Sequence, residues 1–296
     1  MTGPRDAPPT RKDRGEGGGQ GFREREIEEI EAHSAVRPPV LFEVIRREGE
    51  TEMRRPVSAL LLSGLAAGFA IGFSVLSEAA LRRGLPDAPW RPLVENLGYS
   101  VGFLIVMLGQ MQLFTETTIT PVASALIRRG RETALGLARV WAAVLIANLA
   151  GATLFAAFVL HTPAVPPDVL APMLEISAKA TDGGFRATLA SAVPAGWVIA
   201  ALVWLGPTAD GARAFVIVGL TYMIGLAEFS HVIAGSAEIA LLLLDGRIGP
   251  EAAFGGFLAP ALLGNVIGGS ALFTLLVWGQ IRAELPRADA MEEHDP

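Results

Sequence analysis

The chain has 296 residues and no cysteine, and its 24 basic and 30 acidic residues are unevenly distributed. Residues 1–55 carry 23 of these charges and residues 282–296 carry 7, which leaves only 24 between them, about half the density of an average soluble domain. A soluble enzyme is therefore excluded, because its surface would lack polar residues. The missing cysteines exclude disulfides and Cys-ligated metals, and a pI near 5.4 argues against a nucleic-acid partner.

The first 55 residues predict a cytoplasmic tail. Residues 1–21 combine low hydrophobicity with many Gly and Pro, which predicts disorder, and residues 22–34 predict a solvated polar helix. Residues 40–47 are amphipathic and predict a short helix lying flat on the inner membrane face. The first long apolar run begins only near Val57, which is too late and too long for a cleaved secretory signal.

Six apolar segments follow, each long enough to cross a bilayer core, which needs about 20 residues of helix. They lie near residues 57–81, 98–127, 136–160, 187–206, 213–245 and 252–280. The prediction is an all-α membrane domain of six transmembrane helices over residues 56–281, followed by a cytoplasmic tail over residues 282–296. Ten arginines flank the predicted inner ends against six Lys and Arg in the outer loops, so both termini are predicted to be cytoplasmic.

The second and fifth segments are longer than a span requires and contain polar residues halfway along, which predicts broken helices. Asn148 in the third segment recurs as Asn265 in the sixth, 117 positions later. The run Leu113-Phe114-Thr115-Glu116 is paired with Glu228-Phe229-Ser230-His231, 115 positions later. The similar offsets predict an inverted repeat of three plus three spans, a common construction of transporters.

Polar residues inside the breaks are the candidates for function, because membrane interiors penalise them. Thr115 and its neighbouring threonines are expected to satisfy backbone groups in the second span, and Ser230, Gly235 and Ser236 those in the fifth. His231 is the only histidine within a predicted span. It is either a neutral core histidine or a group that handles protons, and the paired breaks favour the second interpretation.

Three acidic residues in the spans admit two interpretations each. Glu116 and Glu228 either brace the broken loops or relay protons, whereas bracing is favoured for Glu238. Lys179, in the outer loop before the fourth segment, is either a solvated charge or an attractor of anions. Three apolar side chains beside the breaks are predicted to narrow a pore, with core packing as the alternative: Leu113, Phe114 and Phe229.

These motifs resemble those of the formate/nitrite transporter family over about residues 56–281. The run Leu113-Phe114-Thr115 is similar to the loop of that family's broken second span, and His231-Val232-Ile233-Ala234 is similar to its central-histidine segment. The segments around Asn148 and Asn265 match its third and sixth spans. The long N-terminal tail resembles that of a less characterised subgroup.

The resemblance implies an aquaporin-like fold, a homopentamer in the inner membrane with one pore per subunit, and neither enzymatic activity nor a cofactor. It implies small monovalent anions such as formate or nitrite as substrates. Lys179 stands where the family carries an outer-loop lysine and would attract the anion. Because a bare anion in low dielectric costs on the order of 20 kcal/mol, protonation near His231 would let the neutral acid pass. Thr115 would orient His231.

Departures from the family pattern leave the substrate open. Gly196 and Gly235 stand where the family has asparagines, and Ser230 replaces the acidic residue before His231. The alternative transport function is a pore for small neutral solutes, or for cations drawn by the intramembrane glutamates. Two further alternatives are an intramembrane enzyme using His231, for which the sequence lacks HExxH-type spacing, and a membrane scaffold acting through the acidic tail.

Overall fold

The computed structural model describes residues 36–284, so the predicted disordered segment, the polar helix at 22–34 and most of the C-terminal tail lie outside them. All regular secondary structure in the described range is helical. The α-helices are α1 (Pro38–Arg54), α2 (Val57–Ile71), α3 (Phe73–Gly84), α4 (Arg91–Glu95), α5 (Tyr99–Leu108), α6 (Thr120–Ile127), α7 (Arg131–His161), α8 (Pro167–Ala178), α9 (Gly184–Leu205), α10 (Arg213–Leu226), α11 (Val232–Leu244), α12 (Ala259–Val266) and α13 (Leu275–Ile281).

Four helical stretches of the described chain are long and apolar enough to cross a membrane, and they coincide with four predicted spans. They are Val57–Gly84, Arg131–His161, Gly184–Thr208 and Ala252–Ile281, of which the last contains two π-helical stretches. The second and fifth predicted spans are each divided into two shorter helices, α5 with α6 and α10 with α11. The prediction of six spans with breaks in the second and fifth is confirmed.

A buried asparagine holds the break of the second span. Asn148 Oδ1 accepts a hydrogen bond from the backbone nitrogen of Phe114 at 2.8 Å. Its Nδ2 donates to the carbonyls of Gly64 at 2.8 Å and Gln112 at 2.9 Å. One side chain on α7 therefore satisfies two backbone groups that the broken helix leaves unpaired, at positions 112 and 114, and also binds the Gly64 carbonyl of α2.

The fifth span is held in the same way by Asn265. Its Oδ1 accepts from the backbone nitrogen of Val232 at 2.8 Å, and its Nδ2 donates to the carbonyls of Ala192 at 2.8 Å and Ser230 at 2.9 Å. The repetition of all three hydrogen bonds in both halves is the physical signature of the predicted three-plus-three repeat.

The register of the repeat differs from the predicted one. The paired hydrogen bonds relate the two breaks by 118 positions, and the same offset relates the helix ends at Leu108 and Leu226. It also relates Gln110 and Glu228, which share a φ of 52°. The pairing at an offset of 115 was wrong, because it matched polar side chains whereas the repeat is carried by backbone geometry. In the structural register, Leu113 is the counterpart of His231.

Two glycines at related positions let the spans touch. A Cβ at Gly68 would collide with the carbonyl of Asn148, and one at Gly196 would collide with the carbonyl of Asn265. Gly196 therefore serves close packing of α9 on α12. The expected role of Gly235 and Ser236 in the fifth-span break was wrong, since both lie inside α11, where the Cα of Gly235 packs against a phenylalanine ring.

The N-terminal helix α1 packs against the membrane domain. Gly49 lies against the carbonyl of Thr120 so closely that a Cβ would collide with it. Arg46 is 2% exposed and pairs with Glu43 and Glu50 of the same helix, while the hydroxyl of Ser124 donates to its carbonyl at 3.0 Å. The helix predicted at 40–47 thus extends over Pro38–Arg54 and is held against α6.

Candidate functional site

The two breaks meet at a pair of buried side chains. His231 Nε2 lies 2.7 Å from Thr115 Oγ1, and the two residues are 1% and 0% exposed. Phe103 packs edge-on against the imidazole, with ring centroids 5.1 Å apart. The structure therefore brings together the histidine and the threonine that the sequence identified in separate spans.

The hydrogen bonds of His231 define its tautomer. As the N-cap of α11, its Nδ1 accepts from the backbone N–H of Ala234 at 3.1 Å. A backbone N–H can only donate, so the neutral ring carries its proton on Nε2 and donates it to Thr115 Oγ1. No hydrogen bond among the described residues uses the hydroxyl proton of Thr115.

A cavity of about 490 Å³ borders the histidine side of this pair and is called the Lys179 cavity below. His231, Phe229 and Lys179 all line it. Five acidic residues line it as well, against the single lysine among its described wall residues. They are Glu78, Glu95, Asp182, Glu228 and Glu238. An acidic wall favours cations and hydrogen-bond donors over free anions.

Lys179 is not an isolated positive charge. It lies in a 3₁₀ turn after α8, and its Nζ is 3.1 Å from Glu228 Oε1. Both side chains are exposed, which makes the pair easy to open. Glu228 is thus placed at the mouth of the cavity beside the lysine.

A second cavity of about 740 Å³ lies toward the other end of the spans and is called the Glu52 cavity. Glu116 from the second-span break lines it, next in sequence to Thr115. The other charged residues of its wall come from α1, the loop after it and α10. They are Arg47, Glu48, Glu52, Arg55 and Arg213.

The predicted constriction residues lie in different surroundings. Phe229 lines the Lys179 cavity. Leu113 and Phe114 are 0% and 1% exposed, belong to the main hydrophobic core and line neither cavity. Apolar side chains of the Glu52 cavity wall include Met107 and Ile217 instead.

Sequence reasoning overlooked Glu52, although its carboxylate is the most closely held in the Glu52 cavity. Thr120 Oγ1 donates to its Oε2 at 2.7 Å, and Gln112 Nε2 is 3.5 Å from its Oε1. Burial raises the pKa of Glu52 to about 7, the negative charge of Glu48 adds to the rise, and the two hydrogen bonds oppose it. The i,i+4 spacing of Glu48 and Glu52 was the available signal, but it was assigned to a solvated tail.

A sequence profile of the formate/nitrite transporter family matches residues 39–279. The chain belongs to the formate/nitrite transporter family. It is 33% identical over 263 residues to the inner membrane protein YfdC of Escherichia coli, covering 89% of this chain and 85% of YfdC. It is 27% identical over 260 residues to formate-nitrite transporter 3 of Toxoplasma gondii, covering 81% of this chain and 50% of that protein.

Solved structures share the fold. A pentameric formate channel with formate bound superimposes with a TM-score of 0.65 at 20% identity, covering 76% of this chain and 98% of the channel. An FNT family ion channel gives 0.68 at 18% identity, covering 81% and 98%. The predicted all-α membrane fold is confirmed, and membership of this family makes the chain a membrane channel or transporter rather than an enzyme.

Proposed function

We propose that the chain conducts small monovalent weak acids, such as those of formate and nitrite. They pass the pair formed by His231 and Thr115 as neutral acids. The observation that carries the proposal is this hydrogen-bonded pair, buried where the two breaks meet, with one polar cavity bordering His231 and another bordering the residue after Thr115. The names of the relatives, a formate channel and a formate-nitrite transporter, support the substrate class.

The roles of the residues follow from their chemistry. Lys179 draws the anion into its cavity once its pair with Glu228 opens. Protonation there removes the charge, whose transfer into low dielectric would otherwise cost on the order of 20 kcal/mol. The hydroxyl proton of Thr115 then binds the carbonyl oxygen of the neutral acid, while His231 holds the hydroxyl in place.

The same proposal includes the assembly and its placement. We place the chain in the inner membrane as a homopentamer with one pathway per subunit and both termini in the cytoplasm. The name of YfdC supports the membrane, the pentameric channel supports the assembly, and the arginine bias of the predicted inner flanks supports the orientation.

Replacement of His231 by Asn tests the mechanism, because Asn is a good N-cap and keeps the start of α11 while removing the imidazole. We expect formate flux into proteoliposomes to follow the neutral-acid fraction in the wild type. In His231→Asn it should fall about tenfold, since one hydrogen bond worth about 1 to 1.5 kcal/mol is lost. His161→Asn, at the exposed end of α7, is the matched control. Unchanged flux in His231→Asn would refute the mechanism.

A second candidate function is a pore for small cations or neutral hydrogen-bond donors. The five acidic residues of the Lys179 cavity favour it. The same proteoliposomes distinguish the two functions when they are tested with ammonium, methylammonium and glycerol. If these solutes pass and formate passes at no pH, the second function is supported and the first is refuted.

A further inference from the structure

The Glu52 cavity contains a carboxyl group that the transmembrane spans do not supply. Glu52 belongs to α1, and its side chain reaches the cavity beside Thr120, whose hydroxyl donates to it at 2.7 Å. The helix is held in place by the contact of Gly49 with the Thr120 carbonyl and by the hydrogen bond that the Ser124 hydroxyl donates to the Arg46 carbonyl at 3.0 Å. The position of Glu52 at the pathway is therefore fixed by packing.

The charged groups that face Glu52 come from three elements. Arg47, Glu48 and Arg55 come from α1 and the residue after it, Glu116 from the second-span break, and Arg213 from α10. The other charges packed around α1 are engaged elsewhere: Arg128 pairs with Glu50 at 3.0 Å, and Arg139 donates to the carbonyl of Met53. Three bases and three acids line this cavity, counting Glu52, so protonation of one carboxyl changes its formal charge from zero to +1.

We propose that Glu52 is the proton-exchange residue on the α1 side of the pathway, which rests on the proposed function. A neutral acid that has passed His231 and Thr115 must lose its proton before it can leave as an anion. The O–H bond of the acid breaks, an O–H bond forms on the Glu52 carboxylate, and the released anion faces the arginines of the cavity. The proton then passes from Glu52 to water, and the sequence runs in reverse for an anion entering from this side.

The acidity of Glu52 suits this exchange. Its pKa of about 7, which burial raises from the usual range, lies well above that of a simple carboxylic acid in water, near 4. Proton transfer from the acid to the carboxylate is therefore downhill. A group whose pKa lies near the working pH can both accept and release a proton at each turn.

Formate exchange across a pH series tests the proposal in proteoliposomes of the full chain. In the wild type we expect an inflection near pH 7 in addition to the dependence on the neutral-acid fraction. Glu52→Gln should remove the inflection and slow exchange about tenfold at pH 7, because water alone must then take the proton. Thr120→Val should move the inflection to higher pH, since the lost hydrogen bond stabilises the carboxylate.

The control variant is Glu132→Gln, which removes an exposed acidic residue from the first turn of α7 and should leave the profile unchanged. An inflection near pH 7 that persists in Glu52→Gln, or that moves to lower pH in Thr120→Val, overturns the role of Glu52 while the proposed function stands. Absence of formate flux in the wild type at every pH overturns the proposed function itself. The carboxyl infrared band that is lost in Glu52→Gln belongs to Glu52. Titration of this band near pH 7 supports the assignment, and titration of the same band near pH 4.5 overturns it.

Discussion

Lys179 and Glu228 show how one ion pair controls the charge at the mouth of a cavity. The lysine is the only basic residue among the described residues of its wall, and its Nζ lies 3.1 Å from Glu228. An exposed pair of this kind is worth about 0.2 to 1 kcal/mol. It therefore reduces the attraction of Lys179 for an anion without abolishing it.

Replacement of Glu228 by Gln should increase entry of anions from this side. Gln keeps the size of the side chain and its unusual φ of 52°, while removing the negative charge beside Lys179. Formate uptake at low formate concentration should rise roughly two- to five-fold, as expected for the loss of an exposed pair, and the gain should shrink at high salt. Initial uptake rates in proteoliposomes at two ionic strengths measure both effects.

Glu251→Gln provides the comparison for this variant, since it removes an exposed carboxylate that lines neither cavity. It should leave uptake unchanged at both ionic strengths. Slower formate uptake in Glu228→Gln would mean that the carboxylate aids passage, and it would contradict the view that Glu228 weakens the attraction of Lys179 for the anion.

At the scale of elements, the two breaks depend on one asparagine each. Asn148 and Asn265 each make two hydrogen bonds to backbone groups of a broken span and a third to a carbonyl of a neighbouring helix, and both are 0% exposed. Backbone groups that leave a helix at membrane depth need such partners. The asparagines therefore stabilise the loops that bring Thr115 and His231 together.

Asn148→Ala and Asn265→Ala should each destabilise the protein, and by similar amounts. Each lost side chain leaves one N–H and one carbonyl of the break unpaired, at a cost of about 1 to 3 kcal/mol each. Thermal unfolding of the purified protein in detergent, followed by circular dichroism, should show a clear fall of the midpoint for both variants. Asn96→Ala, which removes a hydrogen bond to the nearby carbonyl of Pro92, should have a much smaller effect. Equal midpoints for all three variants would contradict this account.

The breaks and spans could be predicted from the sequence, because the hydrocarbon core of a bilayer requires long apolar helices and penalises polar side chains. Apolar length identifies the spans, and polar residues such as Thr115 and His231 in their middle identify the breaks. The register of the repeat could not be read in this way. It rests on backbone groups at positions 112 and 114, which pair with Asn148 whatever side chains they carry.

The wall of each cavity was harder to predict than the spans. Leu113 was expected in a constriction, yet in the repeat it occupies the position of His231 on the buried side of its loop. Glu52 was assigned to a solvated tail, because a polar helix before the first span has the composition of a surface helix. Its place in a cavity depends on the packing of Gly49 against Thr120, a tertiary contact that leaves little trace in composition.

At the scale of the whole molecule, the Lys179 cavity and the Glu52 cavity lie toward opposite ends of the spans, with the pair of His231 and Thr115 buried where the breaks meet. Glu78, near the end of the first span, lines one cavity, whereas Glu52, just before that span begins, lines the other. The two walls also differ in charge. Five acidic residues and one lysine line the first, while acids and bases balance in the second. An anion therefore meets different electrostatic conditions from the two sides, and the orientation of the chain decides which side faces the cytoplasm.

The orientation can be measured cleanly because the chain contains no cysteine. Six crossings place Val40 and Thr208 on one side of the membrane and Ala164 and Glu251 on the other, and all four side chains are exposed. The arginine bias puts the first pair in the cytoplasm. In intact cells, a membrane-impermeant maleimide should modify Ala164→Cys and Glu251→Cys at once. Val40→Cys and Thr208→Cys should react only after the membrane is permeabilised, and the reverse pattern would place the Glu52 cavity outside and require Glu52 to exchange protons with the external medium.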